Sequence, residues 1–115
     1  MKRKIEEVLI KIGVPCGSLG FKYITDTILL LDTDEWKNPK YMALYYFIAK
    51  KNNTTDIRVE RAIRYCFKKV RDKTQKHFDY ELVDHYIGFT NCENSNSLAR
   101  LYYRIKSEME DEGQK

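Results

Sequence analysis

Four side chains in one short window, Arg58, Glu60, Arg61 and Arg64, have the chemistry to read a base pair. A guanidinium can donate two parallel hydrogen bonds to guanine O6 and N7, and a carboxylate can accept one from cytosine N4. An Arg-Glu-Arg constellation within two helical turns therefore suits a G·C-containing duplex. Near these four stand Lys50, Lys51, Thr54, Thr55, Tyr65 and Lys68. Their ammonium and hydroxyl groups suit phosphate oxygens, contacts that fix register without reading sequence. Lys69, Arg71, Lys73 and Lys76 are expected to join them. From Lys50 to Lys76 there are ten Lys/Arg against three Asp/Glu, a balance of +7 in a chain of net charge +4. Everything outside the window sums to −3, so positive charge is concentrated where these residues sit, the footprint of a polyanion partner. Glu60 also has a purely structural use, an i,i+4 pair with Arg64 worth about a few tenths of a kcal/mol. The two uses are compatible.

Such side chains need a rigid element to carry them, and the sequence supplies a helix, a tight polar turn and a second helix. The first is predicted from Pro39 to about Lys51, with Asn38 as N-cap, Pro39 at the first helical position, and Tyr41, Leu44, Tyr45 and Ile48 as its stripe. The second starts at Thr55 or Asp56 and runs to about Arg71, with Val59, Ala62, Ile63, Cys66, Phe67 and Val70 on one face. At about 100° per residue, Arg61, Arg64 and Lys68 fall nearly opposite that stripe, flanked by Arg58, Glu60 and Tyr65. Three positions make this pair a helix-turn-helix. Ala49 is small where the helices approach, Asn53 tolerates the left-handed backbone the turn needs, and β-branched Val59 packs back on the first helix. In that motif the second helix enters the major groove.

The remaining elements are also helical. Ile5, Val8, Leu9 and Ile12 mark a first helix over about Lys2 to Ile12, and Gly13, Pro15, Gly17 and Gly20 form a loop after it. Phe21, Ile24, Ile28 and Leu31 mark a second helix from Phe21 to Leu31; its run Ile28 to Leu31 also suits a short strand, but nothing else supplies partner strands. Phe78, Leu82, Val83 and Tyr86 predict a helix from His77 to Ile87, with Gly88 as C-terminal cap. A last helix, capped by Asn94 or Ser95, carries Leu98, Leu101, Tyr102 and Ile105, and the acidic tail from about Ser107 is expected to fray. The expected fold is all-α, about six helices containing a helix-turn-helix, in one domain spanning 1–115.

Several functional classes lack their signatures. Cys16, Cys66 and Cys92 form no CxxC pair, only His77 and His85 join them, and no zinc site is expected; the thiols are read as free and buried. No glycine-rich phosphate loop, nucleophile elbow or paired carboxylates occur, so no catalytic residue and no cofactor are assigned. The apolar run Ile28 to Leu31 is far too short for a membrane span, and the start of the chain lacks a signal core, so a cytoplasmic protein is expected.

The block Ala49-Lys50-Lys51-Asn52-Asn53-Thr54-Thr55 followed by Arg58-Val59-Glu60-Arg61-Ala62-Ile63-Arg64 resembles the effector domain of the master sporulation response regulator of endospore-forming Firmicutes. The likeness extends to Ile12-Gly13-Val14-Pro15, Gly20-Phe21-Lys22-Tyr23, Gly88-Phe89-Thr90 and Asn94-Ser95, from Ile5 to about Glu108. The resemblance implies a six-helix domain that binds double-stranded DNA at a promoter box with a GTCGA-like core, with Arg58, Glu60, Arg61 and Arg64 as reading residues. It also implies tandem binding on adjacent boxes and contact with RNA polymerase sigma factor through a surface around Asp72 to Phe89. Lys73, Gln75, Lys76 and His77 depart from the family's wording there. Family members carry an N-terminal receiver domain, and no segment here resembles one. The chain is therefore expected to be a stand-alone effector or an excised piece. The alternative to a DNA reader is an adaptor or titrating partner of another regulator that keeps the fold without specific DNA binding.

Overall fold

The structure is a computed structural model that describes residues 1–74 and 79–113. Its described residues form six helices and no strand: α1 (Lys2–Ile12), α2 (Leu19–Leu31), α3 (Tyr41–Lys51), α4 (Asp56–Thr74), α5 (Tyr80–Tyr86) and α6 (Asn94–Gly113). The expected all-α architecture holds. Among the described residues each predicted stripe faces one apolar cluster, in which Ile5, Leu9, Ile24, Ile28, Leu44, Ile48, Ile63, Phe67, Leu98, Leu101 and Ile105 are fully buried. Tyr41, Ala62, Leu82 and Tyr102 sit at its margin, half-buried. Burying each large aliphatic contributes about 1.5–3 kcal/mol, which offsets the cost of ordering the chain.

The α4 helix packs chiefly on α2 and α3, and α6 closes the far side against α2 and α4. The α2–α4 crossing is close at Gly20, where an added Cβ would meet Cys66 Sγ and would lie 2.7 Å from the Ala62 carbonyl. Gly20 therefore belongs inside α2 and not to the loop expected before Phe21. The helix starts two residues early because Ser18 Oγ caps it, accepting from the Phe21 N–H at 3.1 Å.

Other boundaries move for physical reasons. The chain stays extended through Lys40 (φ −91°, ψ 108°), so α3 starts at Tyr41 and neither Asn38 nor Pro39 serves as predicted. Trp36, half-buried, lies against Phe47 with ring centroids 5.6 Å apart, and this contact accompanies the later entry into α3. The α4 helix runs one turn beyond Arg71, to Thr74, whose hydroxyl donates to the Val70 carbonyl at 2.6 Å. The α5 helix begins at Tyr80; Phe78 and the predicted start at His77 lie outside the described residues. Gly88 takes the left-handed backbone its capping role requires (φ +73°), and its N–H donates to the Val83 carbonyl at 3.2 Å.

The acidic tail does not fray before Gly113. Lys4 Nζ lies 3.1 Å from both Glu108 Oε1 and Glu112 Oε1, and Tyr86 Oη donates to Glu108 Oε1 at 2.8 Å. His85 Nε2 is 3.1 Å from the other Glu108 oxygen. Burial pushes the Glu108 carboxyl up, but the hydrogen bonds from Tyr86, His85 and Lys4 outweigh it and hold the group below its ordinary value. These contacts tie the last turns of α6 to α1 and α5.

Candidate nucleic-acid interface

The turn between α3 and α4 is built from its own polar groups. The Asn52 side chain donates back to the Ile48 carbonyl at 2.8 Å, and the Thr54 N–H donates to the Ala49 carbonyl at 2.9 Å. Asn53 adopts φ +52°, the left-handed conformation expected of it. Thr55 Oγ1 then accepts from the Arg58 N–H at 3.2 Å and caps α4, with Asp56 at the positive end of the helix dipole. Ala49 and Val59 are buried where the two helices meet. The geometry has the form of a helix-turn-helix.

Outward from that junction, α4 presents the residues singled out above. Arg58, Arg61, Arg64, Tyr65 and Lys68 are exposed, as are Lys50, Lys51 and Thr55, while Thr54 is half-buried. Arg64 keeps 60% of its side chain accessible, so its guanidinium is free to turn toward a ligand. The long cations rest on neighbouring rings: Lys50 Nζ over Tyr46 at 5.1 Å, Lys51 Nζ over Phe47 at 5.8 Å, and Lys69 Nζ over Tyr65 at 5.3 Å. Lys68 donates to Asp72 at 2.8 Å, and that hydrogen bond raises its ammonium above the ordinary lysine value. A fully exposed pair of this kind yields readily to a phosphate.

Glu60 differs from its neighbours. It is half-buried, and its Oε1 lies 3.3 Å from Arg64 Nη1, the i,i+4 pair foreseen as its structural use. Asn94 Nδ2, from the first turn of α6, donates to the Glu60 backbone carbonyl at 2.9 Å and approaches the same Oε1 at 3.5 Å. Asn94 is therefore a buried tie between helices, its side chain spent on Glu60 and not on capping α6 as the sequence suggested. Tyr45 is buried beside it; burial raises the phenol to about 12, against an opposing hydrogen bond from the Asn94 amide.

Arg71 is a correction. Expected on phosphates, it is only 6% exposed, and its guanidinium points into the protein. Nε donates to the Gly88 carbonyl at 2.8 Å, and Nη2 donates to the Ile87 carbonyl at 3.0 Å and to Ser97 Oγ at 2.7 Å. Burial pulls it below the usual arginine value. It braces the α5–α6 loop against α4, beside a cleft lined also by Arg64, Lys68, Asp72, Phe89 and Cys92. Lys73 is exposed, and Lys76 lies outside the described residues. Of the thiols read as buried, only Cys66 is; Cys16 and Cys92 are exposed, because both sit in loops that no apolar stripe carries inward. Cys66 packs in the core, and burial pushes its thiol up.

Among the described residues no group of three His, Cys, Asp or Glu side chains could hold a metal ion, and no helix is long and apolar enough to cross a membrane. The family model described as sporulation initiation factor Spo0A C terminal matches residues 5–105. The chain belongs to that family, one of DNA-binding regulatory domains of sporulation and not of enzymes.

Proposed function

We propose that the chain is a single-domain, sequence-specific transcription regulator that reads a GTCGA-like box in double-stranded DNA through α4. Arg58, Glu60, Arg61 and Arg64 contact base edges, and Lys50, Lys51, Thr54, Thr55, Tyr65 and Lys68 hold phosphates. One observation carries the reading: an exposed Arg58–Arg61–Arg64 face lies on the helix that follows a turn closed by left-handed Asn53. Binding to adjacent boxes in tandem, and contact of the Asp72 to Phe89 surface with RNA polymerase sigma factor, belong to the same proposal and rest on family resemblance.

The test is a titration of GTCGA-containing and scrambled duplexes over a salt series. Arg61→Ala should cost about 1–3 kcal/mol on the cognate duplex and relax base preference. Lys51→Ala should weaken all duplexes alike and lower the salt slope by about one ion. If both variants behave identically, the division into base-reading and phosphate-holding residues is wrong. Binding indifferent to sequence and salt would favour an adaptor.

A further inference from the structure

Glu60 is the one proposed reading residue that is half-buried; Arg58, Arg61 and Arg64 are exposed. Its Oε1 is shared between Arg64 Nη1 at 3.3 Å and Asn94 Nδ2 at 3.5 Å, while its Oε2 has no hydrogen-bond partner among the described residues. Asn94 is nine-tenths buried, and its amide nitrogen is fixed on the Glu60 carbonyl at 2.9 Å. That carbonyl can only accept, so the amide must present Nδ2 to it. Its Oδ1 is buried without a partner among the described residues, so the amide is held through its nitrogen, by Glu60 and by the neighbouring Tyr45 hydroxyl.

We infer that Asn94 is a positioning residue for base recognition: it anchors one oxygen of Glu60 so that the other stands free to accept a hydrogen bond from an exocyclic base amine. The inference rests on the proposed reading of α4 and extends it to a residue 34 positions away on another helix. A glutamate on an exposed helix face samples many rotamers, and ordering it on binding costs free energy. Here part of the ordering is done in advance by a neutral donor beside the Arg64 pair, on one oxygen, which leaves the carboxylate its second oxygen. The same arrangement holds Arg64 by one nitrogen and leaves its other donors available. Two adjacent reading groups thus meet at one carboxylate oxygen, which the buried amide also approaches. Losing it frees Glu60 to swing toward solvent and blurs the choice of base without removing any phosphate contact.

The experiment compares wild type, Asn94→Ala, Asn94→Ser and Glu60→Gln on a GTCGA duplex and on duplexes with each G·C pair replaced singly. Helicity and melting are recorded for every variant. Asn94→Ala should lower discrimination by about tenfold, the worth of one good base contact, at the pair where Glu60→Gln lowers it. Affinity for scrambled DNA and the salt slope should stay unchanged. The double variant Asn94→Ala/Glu60→Gln should discriminate no worse than Glu60→Gln alone. Should the alanine variant fail to fold, Asn94→Ser, which keeps a polar first turn but cannot reach Glu60, gives the same readout. Equal weakening on every duplex, in step with a lower melting point, overturns the inference and leaves Asn94 a structural residue. If the Asn94 variants discriminate normally while Glu60→Gln does not, the inference alone fails. If Glu60→Gln also discriminates normally, the reading role of Glu60 falls with it.

Discussion

Replacing Arg71 by alanine separates two kinds of arginine on one helix. The side chain supplies all three of its hydrogen bonds to buried acceptors: Ile87 is 2% exposed, Ser97 is 0% exposed, and Gly88 is buried between them. An acceptor left unsatisfied in the interior costs about 1–3 kcal/mol. The adjoining cleft admits water to part of the vacated space, which argues for the low end at each acceptor. The sum is about 3 kcal/mol of lost stability. For a chain of 115 residues one kcal/mol corresponds to about 4 °C, so thermal melting followed by circular dichroism should drop by about 12 °C. Arg71→Lys should fall between the two, because an ammonium cannot span three acceptors arranged for a planar fork. DNA affinity of the folded fraction below the transition should be nearly that of wild type. A melting point within about 3 °C of wild type, together with a reduced salt slope, would refute the reasoning and return Arg71 to the phosphate-holding set.

Three other outcomes are expected. Asn53→Ala should destabilise by about 1 kcal/mol, the cost of an ordinary side chain at φ +52°, whereas Asn53→Gly should be near neutral, as denaturant midpoints would show. Because Glu108 sits below its ordinary value of 4.5, its contribution to stability is complete above that pH and is lost as pH falls through its lowered value. Glu108→Gln should therefore flatten the acid limb of a stability profile, and an unchanged limb would mean that α6 is not held by this carboxylate. Alkylation offers a footprint: Cys16 and Cys92 are both exposed, but only Cys92 shares a cleft with Arg64 and Lys68. Saturating cognate duplex should slow modification of Cys92 in proportion to the bound fraction and leave Cys16 unaffected; equal rates at both thiols would place the DNA elsewhere.

What the sequence made legible was periodic or local. The helices announce themselves because Ile5, Val8, Leu9 and Ile12, or Val59, Ile63, Cys66 and Phe67, repeat at the helical period and all prove buried. The turn was legible because left-handed backbone admits few residues and Asn53 is one of them. What failed was long-range. Arg71 reads as one more cation in a basic run, since the acceptors that bury it lie 16 to 26 residues further on, two of them backbone carbonyls that carry no sequence signal. Asn94 reads as a helix cap by its type, and only the approach of α6 to α4 turns its amide toward Glu60. The tail reads as frayed because its acids are consecutive. Their partner Lys4 stands 108 residues away from Glu112.

These long-range ties have a consequence for how a helix can be both rigid and charged. A binding helix crowded with like charges repels itself, and ion pairs among exposed side chains contribute too little to hold its orientation. Here orientation comes from the other side. Gly20 lets α2 approach closely, Asn94 fixes α4 at Glu60, and Arg71 clamps it eleven residues on. Of the two clamps, Asn94 is a neutral donor and Arg71 an arginine turned away from solvent, so neither competes with the outward face for an anion. Lys68 and Arg64 can then exchange their weak partners Asp72 and Glu60 for phosphate or base without loosening the fold. Stability and recognition are thereby carried by different residues of one helix. That division is why a substitution at Arg71 and one on the outer face should be told apart by melting and by binding, respectively.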